Sequence, residues 1–211
     1  MLYFGEEDDG LVTFFQNLGD CFESSRFADI TIRTADDEYK VHKLILCNHS
    51  PFFSRLLEHG WKESLEGVVE LKDDDPQAIK AMLSFMYKFD YTNPADGCAA
   101  SFIFDAQLFA VAEKYIMEGL KSCVEEKFHQ SILSDWKSED YPDVIRGVFG
   151  IPTTDPSLRD TLVQVSCSNI NELIEKDGFK SALNDVPGFA VQLVTRLAGC
   201  KPATSRNRLG L

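Results

Sequence analysis

The chain has 211 residues, of which 44% are hydrophobic and 26% are charged, and its formal net charge at pH 7 is −13. This composition supports a packed core in one sizeable domain, or in a domain with a helical annex. The excess of acidic residues argues against nucleic-acid binding, which depends on Lys and Arg to neutralise phosphates.

The sequence also lacks the features that predict secretion or a membrane span. It begins MLYFGEEDD, without the basic start and apolar run of a secretory signal. No apolar run approaches the ~20 residues that cross a bilayer. The six cysteines are never within four residues of one another, so no metal-binding pair is predicted. We therefore expect a reduced cytoplasmic or nuclear environment and no membrane partner.

The first predicted element is an amphipathic helix. Apolar residues recur at helical spacing on one side of residues 11–22, namely Leu11, Phe14, Phe15, Leu18 and Phe22. This stripe must be buried, and two places are open to it. It packs on its own domain, or it packs on a second chain.

Short strands that run directly into helices come next. DITIRTADDEYKVHK, residues 29–43, alternates apolar and polar residues on both sides of a turn at residues 36–37, which predicts a β-hairpin. KLILC, residues 43–47, predicts a short helix. Ser50 and Pro51 then begin another helix, with the serine as its cap and the proline in its first turn. We expect the buried face of that helix to be formed by Phe52, Phe53, Leu56 and Leu57.

The same logic repeats before the chain becomes helical. Residues 68–71 predict a strand, and Asp75 with Pro76 begins a helix that buries Ile79, Met82, Leu83 and Met86. TNPADG, residues 92–97, is a loop by composition. Helical patterns follow, with no convincing strand, at residues 102–133 (broken near Gly119), 144–149, 158–174 and 188–197.

The segment EYKVHKLILCNHSPFFSRLL, residues 38–57, concentrates reactive side chains. His42, Cys47 and His49 are too few, and wrongly spaced, for a zinc site. Ser50 is committed to its cap, and no nucleophile or phosphate-binding motif is present. We expect the His42 ring to lie under the sheet, bonded to backbone, and Lys43 to reach Asp29. No catalytic residue, metal ligand or cofactor is therefore predicted, and an enzyme built on this segment is a minor alternative.

Five segments together resemble the BTB/POZ domain family in their order and spacing. They are FADITI (27–32), VHKLIL (41–46), SPFF (50–53), WKES (61–64) and DDPQAIKAMLSFMYKFDY (74–91), and FAVAEKY (109–115) extends the match. The resemblance covers roughly residues 11–130, and the chain as a whole is similar to short BTB proteins of filamentous fungi. It implies an α+β BTB/POZ fold, a small mixed β-sheet packed on a helical cluster, followed by an all-helical C-terminal extension. The implied divisions are an N-terminal helix (1–26), the BTB/POZ domain (27–130), a BACK-like helical extension (131–200) and a disordered tail (201–211).

The resemblance implies a protein–protein interaction module rather than an enzyme. Family members commonly homodimerise through the N-terminal helix, which would use Leu11, Phe14, Phe15 and Leu18 here. Asp29 and Lys43 match the family's charged pair at the dimer centre. The N-terminal MLYF is a poor match to the strand that many dimeric members exchange.

Two partner classes follow from the resemblance. Many members bind a cullin scaffold of ubiquitin ligases through a hydrophobic–any–Glu motif after the SPFF helix, which Trp61, Lys62 and Glu63 match. The resemblance implies that these three residues, together with Phe53 of that helix, form the partner contact. Trp61 is open to a second interpretation, in which it folds back on the helices. The other class is a transcriptional or chromatin co-regulator that holds a partner peptide at the dimer.

Overall fold

The structure, a computed structural model, describes residues 9–58 and 65–199. Within these two ranges, three short strands alternate with the N-terminal helices, and the described residues after Glu70 form helices and no further strand. The strands are β1 (Ile30–Arg33), β2 (Glu38–Val41) and β3 (Val68–Glu70). The helices are α1 (Asp9–Ser24), α2 (Lys43–His49), α3 (Pro51–Glu58), α4 (Pro76–Lys88), α5 (Cys98–Lys114), α6 (Glu118–Asp135), α7 (Tyr141–Gly150), α8 (Ser157–Ser168), α9 (Ile170–Leu173), α10 (Asp177–Asp185) and α11 (Pro187–Gly199).

The three strands form one mixed sheet in the order β2-β1-β3. β1 pairs antiparallel with β2, which confirms the predicted hairpin, and parallel with β3. The register places Ile32 opposite Tyr39 on one side and opposite Val69 on the other. Since side chains alternate between the faces of a strand, the residues that share the face of Ile32 are the ones that pack on the helices.

Helix α4 lies at the centre of the helical cluster, because nearly all of its inner side chains are buried. It begins as the sequence predicts, with Pro76 in its first turn and with the Asp75 carboxylate accepting the Ala78 backbone N–H at 2.9 Å. It ends at Phe89, whose backbone is left-handed with φ 55°. The predicted buried positions Ile79, Met82, Leu83 and Met86 are all confirmed.

The predicted helical region after residue 97 is also confirmed, with three differences in detail. The break between α5 and α6 falls at residues 115–117, where Ile116 has φ 55°, slightly before Gly119. The helix predicted over 158–174 is divided at Asn169 into α8 and α9. Helix α10 was not predicted, because a short amphipathic segment between two acidic residues resembles a loop.

The C-terminal helices pack directly on α5 and α6. α7 lies against α5 and α8 lies against α6. The Glu113 carboxylate accepts the backbone N–H groups of Thr154 and Asp155 at 3.1–3.2 Å, and Lys121 pairs with Asp155 at 2.7 Å. Helix α6 runs without a break through residues 130 and 131, so the division predicted there falls inside a helix.

Candidate interaction surface

The outer face of α1 exposes large apolar side chains. Leu11, Phe14 and Phe15 are 37%, 57% and 43% exposed, and Phe89 at the end of α4 is 50% exposed. The rings of Phe14 and Phe15 meet edge-on at 5.6 Å, and those of Phe15 and Phe89 do so at 5.2 Å. We call these four residues the aromatic patch. A contiguous apolar surface of this kind marks an interaction site more often than scattered single residues do.

The other end of α1 is fixed to its own domain. α1 packs along α4, and Phe22 stacks on Tyr87 with the ring centroids 5.0 Å apart. Glu23 forms an ion pair with Lys88 at 2.8 Å. Leu18 is partly buried against the core. The predicted apolar stripe is therefore divided, since Leu18 and Phe22 turn toward the domain while Leu11, Phe14 and Phe15 face outward.

His42 holds the sheet to α4 through its ring and its backbone. Its backbone N–H donates to the Tyr87 hydroxyl at 3.0 Å, and its Nδ1 lies 2.7 Å from the same oxygen. Its Nε2 lies 2.7 Å from the carbonyl oxygen of Arg26. A neutral ring satisfies all three contacts when Nε2 carries the proton and Tyr87 donates to Nδ1. The predicted structural role is confirmed, although one ring nitrogen bonds to a side chain and not to backbone.

The predicted pairing of Asp29 with the side chain of Lys43 takes another form. The Asp29 carboxylate accepts the backbone N–H of Lys43 at 2.8 Å. Lys43 is the first residue of α2, and the N-cap residue His42 makes no side-chain cap bond. Asp29, the residue before β1, therefore caps α2, where a carboxylate also suits the positive end of the helix. The expected charged pair is corrected to a carboxylate–backbone contact, and a dimer-centre role for these two residues stays a prediction.

Phe53 is a core residue, which confirms its predicted place on the buried face of α3 and leaves it no exposed surface for the partner contact that was also predicted. It is fully buried, and its ring stacks on Tyr115 with the centroids 5.4 Å apart. Buried Ser50 fixes this arrangement: its hydroxyl accepts the Phe53 backbone N–H at 3.3 Å and donates to the Tyr115 carbonyl oxygen at 2.5 Å. The serine cap predicted from the sequence is confirmed and also joins α3 to the end of α5.

The proposed cullin motif lies outside the described residues. Trp61, Lys62 and Glu63 fall in the segment 59–64, between α3 and β3, as does the fourth residue of the WKES match. Their role stays a prediction, and so do those of the N-terminal MLYF and of residues 201–211.

The reactive side chains of residues 38–57 do not converge. Burial raises the pKa of the Cys47 thiol, which keeps it protonated and a poor nucleophile. Burial lowers the pKa of His49, whose ring contacts Phe85 and Phe89 at 6.0 and 5.3 Å. Within residues 9–58 and 65–199, no three or more His, Cys, Asp or Glu side chains are placed to hold a metal ion. None of the helices in those two ranges is long and apolar enough to cross a membrane.

Phe89 is the surface residue that the sequence did not indicate. It stands four residues after buried Phe85, so helical spacing predicts that it continues the buried stripe. The left-handed backbone at Phe89 ends the helix and turns the side chain outward beside Phe15. The phenylalanine at this C-cap offered no local signal, because glycine and asparagine are the residues that usually mark a left-handed cap.

A small mixed sheet on a helical cluster, with an exposed apolar helix face, is typical of a protein-interaction domain. A family model described as BTB/POZ domain matches residues 18–132, which is more than half of the chain. The chain therefore belongs to the BTB/POZ domain family, its predicted α+β fold class is confirmed, and it is a protein-interaction module. Among solved structures, the BTB domain of zebrafish PATZ1 is similar at 18% identity, covering 61% of this chain and 99% of that one with a TM-score of 0.48.

Proposed function

We propose that this protein forms a homodimer in which the aromatic patches of two copies pack against each other. The observation that carries the proposal is the exposure of Phe14, Phe15 and Phe89 as one connected group of rings. A twofold arrangement pairs a surface with itself, so one apolar patch supplies both sides of the contact. Membership of the BTB/POZ family supports this use of α1, because such domains generally dimerise.

The energetics favour an apolar contact over a charged one. Each copy carries a formal charge of −13, so long-range repulsion opposes pairing. Phe14 is 57% exposed, which leaves on the order of 100 Å² of its surface to bury. At ~25 cal/mol per Å², that burial contributes about 2–3 kcal/mol per copy. Added salt screens the repulsion, so we expect the dimer to tighten as ionic strength rises.

Sedimentation equilibrium of the full chain tests the proposal. Wild type should have the mass of a dimer, and Phe14→Glu should have the mass of a monomer, because the substitution buries an unpaired carboxylate in an apolar contact. Val191→Glu is the matched control. Val191 is 66% exposed on α11, so the same loss of an apolar side chain and gain of charge occurs away from the patch.

The Val191→Glu chain should remain a dimer. Far-UV circular dichroism and melting temperature check that both variants fold. A monomeric wild type at about 100 μM, where a contact of about 5.5 kcal/mol already half-saturates, contradicts the proposal. A Phe14→Glu chain that is folded and still dimeric also contradicts the proposal.

We further propose that the dimer serves as an adaptor for a cullin ubiquitin ligase through Trp61, Lys62 and Glu63. The support is the sequence pattern after the SPFF segment, together with family membership. Capture of a purified cullin N-terminal domain should weaken at least about 30-fold in Trp61→Ala, which is the effect of losing an aromatic hot spot worth ~2 kcal/mol. Glu63→Ala should also weaken capture.

Phe27→Ala is the control for the cullin experiment. Phe27 is an aromatic residue that is 80% exposed at another place, so its removal should leave capture unchanged. Equal capture of the wild type and the Trp61 and Glu63 variants would end the adaptor proposal. Nuclear location of the protein without cullin association would favour the alternative, a transcriptional or chromatin co-regulator.

A further inference from the structure

A groove of about 490 Å³ runs beside the outer edge of β2, and the proposed dimer does not use it. One wall is the strand itself, from Glu38 to Lys40. The other wall is one face of α4, which includes Lys80, Ala81 and Ser84. The groove lies at the far end of α1 from Leu11, Phe14 and Phe15.

The strand that lines this groove has an unused edge. In the part of the chain that the structure describes, β2 pairs only with β1. The backbone of Thr34 bonds to that of Asp37, which fixes the alternation of the ladder. Tyr39 and Val41 therefore turn their backbone N–H and C=O groups toward β1, and Glu38 and Lys40 turn theirs toward the groove. Outward backbone groups of this kind can accept another strand.

The length and floor of the groove suit a short extended segment. Its α4 wall extends from Gln77 to Lys88, a rise of roughly 16 Å. A strand of about five residues has that length. Phe22, Tyr39 and Ala81 supply apolar surface on the side that faces the helices. A strand added here would place alternate side chains on that surface and the others beside Lys40 on the opposite face.

The charge of the groove differs from that of the whole chain. Its two carboxylates are already paired, Glu23 with Lys88 and Glu38 with Arg33. Lys40 and Lys80 lie beyond ion-pair distance of every carboxylate in the described residues, in a chain whose net charge is −13. Positive charges without an ion pair therefore stand on the two walls of the groove, one on the strand and one on the helix, and Lys80 also attracts Glu23 at longer range.

We propose that this groove binds an acidic, extended peptide segment of a partner protein as a fourth strand beside β2. Backbone hydrogen bonds to Glu38 and Lys40 hold the segment, its apolar side chains lie on Phe22, Tyr39 and Ala81, and its acidic side chains lie beside Lys40 on the opposite face. Lys80 adds a longer-range attraction from the α4 wall. This mode of recognition takes its affinity from the main chain and its specificity from alternate side chains.

Amide hydrogen exchange by NMR tests the proposal on the full chain. The probe is a capped peptide of alternating glutamate and valine, about seven residues long so that it exceeds the groove. At saturation, exchange of the backbone N–H groups of Glu38 and Lys40 should slow at least about ten-fold, because the new strand takes them as donors. A peptide in which lysine replaces glutamate, and one N-methylated at alternate amides, should not give this protection.

Charge reversal supplies the matching test on the protein. The double variant Lys40→Glu/Lys80→Glu should bind the glutamate–valine probe at least about ten-fold more weakly, since the direct attraction at Lys40 and the longer-range attraction of Lys80 both become repulsion. Lys180→Glu on α10 makes the same kind of charge change elsewhere and should leave binding unaltered. If the reversed chain has a lowered melting temperature, Lys40→Gln/Lys80→Gln provides the comparison, with a smaller loss of affinity.

Several results would overturn the proposal. One is unchanged hydrogen exchange of the Glu38 and Lys40 backbone N–H groups at about 1 mM probe, a concentration above the dissociation constant expected of such a site. Another is equal binding of the lysine–valine peptide. A third is protection that rises with protein concentration without any peptide, which would assign the groove to a second copy. The Phe14→Glu monomer should still bind the probe, so this proposal and the proposed dimer fail independently.

Discussion

Asp105 is a buried carboxyl group whose environment makes a specific prediction about pH. It lies on α5 and is 6% exposed. Its Oδ1 accepts the Tyr91 hydroxyl at 2.9 Å and the Asn93 side-chain amide at 2.8 Å. Burial is the largest influence and raises the pKa of Asp105 to about 6, against the smaller opposing effects of these two hydrogen bonds and of Lys127.

The sign of the stability change follows from this direction. A carboxyl whose pKa is higher in the folded chain holds its proton longer there than in the unfolded chain, so folding becomes less favourable as the pH rises. The loss develops between the ordinary pKa of 3.8 and the folded value of about 6. At about 1.4 kcal/mol for each pH unit between those values, the ionised Asp105 costs up to about 3 kcal/mol at neutral pH.

Asp105→Asn should therefore be more stable than wild type at neutral pH. The asparagine keeps an oxygen that can accept from Tyr91 and Asn93, and it cannot ionise. Urea unfolding between about pH 5 and pH 7.5 should show a difference of up to about 3 kcal/mol at the upper end, shrinking as the pH falls because wild type takes up its proton.

Asp177→Asn is the control for this experiment. The Asp177 side chain is fully exposed at the start of α10, so its substitution should shift stability by the same small amount throughout the pH range. If Asp105→Asn and wild type differ by a constant amount from pH 5 to pH 7.5, the assignment of an ionising, desolvated Asp105 is wrong.

Two further predictions concern packing. Tyr87→Phe removes the hydroxyl oxygen that contacts both the backbone N–H and Nδ1 of His42. We expect a loss of about 1–3 kcal/mol in the free energy of unfolding, measured by urea titration. A loss below ~0.5 kcal/mol would show that water replaces the hydroxyl. Gly147→Ala places a methyl group against the Ile103 side chain where α7 packs on α5. We expect a lower melting temperature, corresponding to a loss of ~1–3 kcal/mol in the free energy of unfolding. Ile103→Ala in the same chain should partly restore it. Gly150→Ala is the control and should not lower it, since nothing lies within 4 Å of a methyl group at that position.

Local patterns predict most of the N-terminal fold, because their chemistry is local. The hairpin follows from alternation on both sides of a turn, and the starts of α3 and α4 follow from Ser50 and Asp75, each placed next to a proline. These devices act within three or four residues, so a sequence is sufficient to read them. The apolar spacing of α1 also predicts its existence, although not which of its residues face outward.

Long-range contacts explain what the sequence did not predict. Asp29 caps a helix that begins fourteen residues later, and this distance depends on how the hairpin packs. Phe53 stacks on Tyr115, which directly follows the last residue of α5 and which the local pattern of α3 cannot identify. Phe89 is exposed because its backbone leaves the helical conformation, against the spacing that would bury it. The first two cases depend on a partner distant in sequence, and the third depends on a left-handed backbone that phenylalanine does not signal; periodicity specifies neither.

Because α6 is unbroken, a continuous helix and not a flexible linker connects the C-terminal helices to the rest of the chain. A partner bound to α7–α11 keeps a fixed orientation relative to the sheet, because α6 has no break between Glu118 and Asp135. One residue inserted into the middle of α6 would rotate the residues after it by about 100° relative to those before it, and this rotation would oppose the packing of α7 on α5. A partner that contacts both the sheet and the C-terminal helices would therefore meet them in a changed relative orientation, whereas a flexible linker in place of α6 would accommodate the insertion.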